Sequence, residues 1–256
     1  MEEHVESSSV KWSDQVRDTF HEIIACPGKT LKEQPHSGCR KIIDFQNKSL
    51  DKCQVPEPWS GSFETARILF IGKNPSIDTN DIDFLTTVKA GNDRKITEQY
   101  FIDRFEREKD KVDRVRCWKV AHMLAEQLLD RKVDPGSDFA LTEVVHCKSK
   151  RGKGVRKAFD TCREKYLRRV VELSGAKVIV CLGKDARKGM LTEFSDELRE
   201  GDGAILGTLK LRGYKKLVAW LWHPSARKPI DEKKFREPAL SELQEALRHN
   251  GTGNQN

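Results

Sequence analysis

The chain has 256 residues, and its 47 Lys and Arg outnumber its 40 Asp and Glu, a formal charge of +7. That length buries one substantial core, and the 37% of hydrophobic residues, gathered in a few dense runs, suffices for a single fold. No run approaches the roughly eighteen apolar residues that span a bilayer, and Met1-Glu2-Glu3-His4 is unlike a signal peptide. A membrane partner is therefore excluded, and a soluble, cytoplasmic monomer is expected. The basic excess suits an anionic partner such as nucleic acid. Seven Cys, an odd count, argue for reduced thiols or metal ligation over a disulfide framework.

In chain order, residues 1–60 carry Cys26, Cys39 and Cys53 among Pro, Gly and charged residues, then Val55-Pro56-Glu57-Pro58-Trp59. They predict an irregular wrap around the rest. Ala66 to Ile71 is the first buried strand, ending in Gly72-Lys73-Asn74-Pro75-Ser76. Asp113 to Leu129 places Val115, Trp118, Val120, Met123, Leu124 and Leu128 at helical spacing. A strand over Leu141 to Val145 ends in His146-Cys147-Lys148, and a flexible cationic loop, Lys148 to Lys157, follows. Phe159 to Leu173 reads as a helix, Ala176 to Leu182 as a strand ending in Gly183-Lys184-Asp185, and Leu217 to Trp222 as a strand ending in His223-Pro224-Ser225. The alternation predicts an α/β domain over 61–250. It is a three-layer sandwich whose central, mostly parallel four-stranded sheet is flanked by helices, with its site at the carboxyl strand ends. Residues 251–256, rich in Gly and Asn, are expected to be a disordered tail.

Two strand ends carry chemistry. Gly72 allows a tight turn, and Asn74 can hold a water, although Gly, Asn and Pro also make ordinary turns. His223 can donate to an anion, or simply be satisfied by local backbone. Together, Gly72-Lys73-Asn74-Pro75 and His223-Pro224-Ser225 resemble the uracil-DNA glycosylase superfamily, whose motifs Gly-x-Asp/Asn-Pro and His-Pro-Ser close over an extruded base. The resemblance runs from about Ala66 to Arg227. Its central segments, Thr142 to Cys147, Cys162 to Leu167 and Ala176 to Gly183, look like the iron-sulfur branches, while the two motifs look like the single-strand-selective branch. Ser76 replaces the usual Gly or Tyr, and Glu143 stands where uracil-specific relatives have Asn.

The resemblance implies a monofunctional DNA glycosylase that hydrolyses an N-glycosidic bond in DNA. Asn74 and His223 would be catalytic, the first orienting water and the second donating to the leaving base. Gly72, Lys73, Pro75, Phe84 and Glu143 would bind the base, with Phe84 stacking on it. Arg227 would be the wedge, unless it is a surface Arg on phosphate, with Ser225 beside it on DNA. Lys148, Lys150, Arg151 and Lys153 would track phosphates. An ionised Glu143 accepts only, so it favours the N4 amine of a cytosine-type base over O4 of uracil; protonated, it could donate to N3 of cytosine. The alternative has Glu143 paired with a Lys outside the pocket. Relatives acting on hypermodified bases extend the range to phage DNA and host defence. Cys147 and Cys162 match one pair of ligands of a 4Fe-4S cluster, and Cys26 and Cys39 are preferred over Cys53 as the second. Two rivals remain: a base-sensing DNA-binding module without chemistry, and a basic α/β protein that binds RNA or nucleotides through the cationic loop.

Overall fold

A computed structural model describes residues 12–33, 38–46, 52–77, 85–102, 104, 115–228 and 230–248. Phe84 and the 251–256 tail lie outside the described residues. In chain order the elements are α1 (Asp14–Glu33), α2 (Arg40–Phe45), β1 (Trp59–Ser60), β2 (Ile68–Gly72), α3 (Thr87–Asn92), α4 (Arg94–Ile102), α5 (Arg116–Leu129) and β3 (Phe139–Glu143). They continue with α6 (Val155–Cys162), α7 (Arg168–Leu173), β4 (Val178–Leu182), α8 (Lys184–Glu193), β5 (Ile205–Leu211), β6 (Tyr214–Leu221) and α9 (Ala239–Arg248). None of the described helices is long and apolar enough to cross a membrane.

Among the described residues the sheet has six strands in the order β1-β3-β2-β4-β6-β5, not four. Its inner four are mutually parallel, and both edge strands are antiparallel. The edges escaped the sequence reading for different reasons. β1 is two residues long, and β5 alternates exposed and buried positions without forming a continuous apolar run. Arg212 and Gly213, with φ of 53° and 81°, make the tight β5–β6 turn; Arg-Gly lacks the Asn or Asp that usually announces such a pair.

Side-chain alternation divides the sheet between two cores. Ile68 and Phe70 join Val178, Val180, Leu182, Leu217, Ala219 and Leu221 against Val120, Leu124 and Leu128 of α5 and Leu243 and Leu247 of α9. Leu69, Ile71, Ile179, Cys181 and Val218 face the other way, onto α1, α6, α7 and α8. Full burial of each Leu, Ile or Phe contributes about 1.5–3 kcal/mol, so the run at β2 anchors both layers.

The described residues of the N-terminal section include two helices, α1 and α2, where an irregular wrap was expected. Val16, Phe20, Ile23 and Ile24 form one stripe on α1 that enters the larger core. Phe20 and Trp12 pack on Trp59, which stacks on Phe63 at 4.1 Å. The helix expected over 159–173 starts at Val155 and changes winding at Arg163–Leu167, a π turn immediately after Cys162. Such wide turns concentrate at functional sites.

Candidate active site

Strand register brings the two motifs to one edge. Gly72 pairs with Glu143 across β2 and β3, Ile71 with Cys181 across β2 and β4, and Leu182 with Leu221 across β4 and β6. Across the carboxyl edge therefore run Glu143, the Gly72-to-Ser76 segment, Gly183 to Asp185, and His223.

The first motif is held by a ladder that continues past the strands. Val144 N–H donates to Gly72 O, Val145 N–H to Lys73 O and Ser149 N–H to Pro75 O, each at 3.0 Å. Asn74 donates Nδ2–H to Pro75 O at 2.9 Å, which turns its carbonyl oxygen to the acceptor role a bound water needs. Lys73 points away to Asp185, with Nζ 2.9 Å from Oδ2. Pro75 is buried and Ser76 exposed.

The second motif fixes its own histidine. The Ser225 N–H donates to His223 Nδ1 at 3.1 Å, so a neutral ring carries its hydrogen on Nε2 and donates from there. Burial lowers the His223 pKa; Asp185 opposes that, and Lys73 and Lys233 reinforce it. The ring is thus a neutral donor over most of the physiological range. Lys233 donates to Pro224 O at 2.9 Å, and Ala226 N–H to His223 O at 2.8 Å, closing the turn. Gly183, at φ +98°, admits the ring: a Cβ there would lie 2.8 Å from the His223 Cβ. Ser225 and Arg227 are exposed beyond it.

Glu143 lies across the backbone of Gly72, where a Cβ would come within 2.1 Å of its Oε2. That oxygen is buried and meets no hydrogen-bond partner among the described residues, while the side chain as a whole is only half-buried. Burial and the neighbouring Glu57 carboxylate raise the Glu143 pKa well above the carboxylate range, and Arg104 only partly offsets them. Of the two states considered for Glu143, these neighbours favour the protonated one over the ionised, accept-only one. Among the described residues no Lys pairs with it.

Glu57 is its opposite. Arg104 lies 2.6 Å and Lys148 2.9 Å from Glu57 Oε1. Burial would raise its pKa, but the two cations outweigh burial and hold it at about 2. Lys148 is 3% exposed, so it leaves the set of cations available to phosphate. Lys150, Arg151 and Lys153 stay exposed on a shaped turn, with Gly152 and Gly154 at positive φ. Ser149 bridges to Ser76, so these cations emerge beside Asn74.

Cys26, Cys39, Cys147 and Cys162 line one pocket, together with Pro27, Pro56, Val145 and Tyr166. Burial pushes the thiols of Cys39, to about 11, and of Cys147 and Cys162 up, and each also feels others of the set. Lys165 and the backbone N–H of His146 act the other way on Cys162. Among the described residues no three His, Cys, Asp or Glu side chains could share a single metal ion. The four thiols ring a space instead of converging on a point.

Sequence reasoning missed Asp185, Glu57 and Arg104. Asp185 had a signal, its place just after a strand end; Glu57 and Arg104 had none, lying 86 and 39 positions before Glu143 in the sequence. No curated protein matches the chain. The family model described as the Uracil DNA glycosylase superfamily matches residues 58–247, which include both motifs, Glu57's neighbours on β1 and the whole sheet, and the chain therefore belongs to that superfamily of enzymes acting on DNA.

Proposed function

We propose that the protein is a monofunctional DNA glycosylase that extrudes a cytosine-type base and hydrolyses its N-glycosidic bond. The observation that carries this reading is the convergence of Asn74, Glu143 and His223 on one sheet edge. Bond cleavage leaves an oxocarbenium-like sugar and an anionic base. The Asn74 carbonyl orients the attacking water, which loses its proton to solvent because a carboxamide is no base. Nε2–H of His223 donates to the charge growing on the base carbonyl, a contribution of about 3–4 kcal/mol for one such donor.

Glu143 reads the base edge. Its Oε2 is buried against Gly72, so we assign the proton of the acid to Oε1, the oxygen left for a base. A donor there meets the lone pair on N3 of cytosine, whereas N3 of uracil carries a hydrogen. A hypermodified cytosine in foreign DNA, and hence host defence, is the setting this chemistry suits. Lys150, Arg151 and Lys153 track phosphate, and Arg227 fills the gap left by the base.

Cys26, Cys39, Cys147 and Cys162 would hold a 4Fe-4S cluster, whose corners accept thiolates spread around a space. When bound it ties α1, α2 and α6 to the segment after β3. A band near 400 nm and about four irons per chain test it.

The decisive experiment measures abasic-site formation on duplexes carrying uracil, cytosine, 5-hydroxymethylcytosine or its glucosylated form. Release of a cytosine-type base is expected, and loss of about 100- to 1,000-fold in rate in His223→Ala. Release of uracil alone overturns the role of Glu143; no release from any duplex, with DNA binding intact, overturns the enzyme reading.

A further inference from the structure

Trp222, the residue before His223, belongs to neither hydrophobic core among the described residues, although it is a large apolar side chain directly at the site. It is half-buried and walls an open groove of about 450 Å³ with Ala204, Ile205, Phe235 and Pro238. The ammonium groups of Lys184 and Lys228, both on exposed residues, each lie 5.3 Å from its ring centroid. Lys184 opens α8 immediately after Gly183, the residue packed on His223, so Trp222 and the cation over it stand next to the second motif.

Glu232, Glu237 and Glu242 line the groove, with Lys234 and Arg236. Lys228 also pairs with Glu232 at 2.9 Å, and Glu237 accepts from Ser241 N–H. Carboxylates repel phosphate but accept from exocyclic amines, while an indole offers a face to any base. The lysines over the indole can pass to phosphates once a base covers the ring.

We infer that this groove is a second nucleobase site, in which Trp222 stacks an unpaired DNA base adjacent to the extruded one while Lys184 and Lys228 hold the flanking phosphates. The inference rests on the glycosylase reading for the position of the extruded base. A paired base cannot reach the indole, so the groove favours single-stranded or locally opened DNA. Its lining of carboxylates favours amine-bearing cytosine and adenine over thymine.

The test compares binding of a short mixed-sequence single strand with binding of the same strand in duplex, by fluorescence anisotropy. Trp222→Ala should weaken single-strand binding about tenfold, the scale of one lost stacked base, and leave duplex binding unchanged. Trp222→Phe, which keeps a stacking face, should stay within about twofold of the parent. Equal losses on both probes, no loss on either, or a Phe variant as weak as the Ala variant overturns the groove. If Trp222→Ala does not fold, Lys184→Ala and Lys228→Ala replace it, and a larger loss on single strand than on duplex is again required. Binding is read without base release, so a chain that excises nothing fails the enzyme reading alone, and unchanged single-strand affinity fails the groove alone.

Discussion

Glu57 and Glu143 are two acids in one electrostatic neighbourhood with opposite fates. Glu57 meets Arg104 and Lys148 and stays an anion to about pH 2. Glu143 meets the face of Gly72 and the charge of Glu57, and is pushed toward its neutral form. The cations spent on the first acid are largely denied to the second, so a structural ion pair sets the hydrogen-bonding character of Glu143. Which of two neighbouring carboxyls stays ionised is decided by which one lies within ion-pair reach of the shared cations.

The contrast breaks most strongly at Lys148. Lys148→Met leaves Glu57 with Arg104 alone and should cost on the order of 3 kcal/mol, read from urea unfolding midpoints. Gly72→Ala comes next. Its methyl must displace Glu143, at a cost of about 1–3 kcal/mol, and Glu143→Ala in the same chain should recover most of that stability. Recovery absent from the double variant would mean the clash lies elsewhere.

Glu143→Gln sharpens the comparison without breaking the fold. A neutral acid donates only while protonated, so activity of the parent should fall as pH rises through its raised pKa, and the Gln variant should lose that alkaline limb. Glu57→Gln, which removes the charge that raises Glu143, should move the same limb to lower pH. The smallest effect lies in the two stability slopes. Glu57, with its pKa depressed, contributes stability that is complete above about pH 4.5 and lost as pH falls toward 2. Glu143, with its pKa raised, stays protonated when the unfolded chain ionises, so stability falls as pH rises above about 4.5. Thermal melts of the two Gln variants against pH should remove slopes of opposite sign.

The parallel strands were legible because β2 and β4 are buried on both faces, and β6 over most of its length, and read as unbroken apolar runs. The places of Asn74 and His223 on one sheet edge were legible because a motif at the end of such a strand has few places to be. The edge strands were not, since half their residues face outward. The charge of Glu143 was not, because it depends on Glu57, 86 positions earlier, and on Arg104, which no periodicity connects to it. Lys148 looked like one cation in a basic run; only its burial beside Glu57 separates it from Lys150 and Lys153.

The ladder joining residues 72–75 to 144–149 has a kinetic consequence. With those amides and carbonyls already engaged, the wall that carries Asn74 is set before any ligand arrives, and its amide protons at Val144, Val145 and Ser149 should exchange slowly. Motif two, by contrast, is a short turn held at Pro224 by Lys233 and at His223 by the amides of Ser225 and Ala226, with the side chains of Ser225 and Arg227 exposed. On the proposed glycosylase reading, closure over an extruded base would come from that exposed side, so the rate of capture would belong to this turn and the hydrolytic step to the wall it meets.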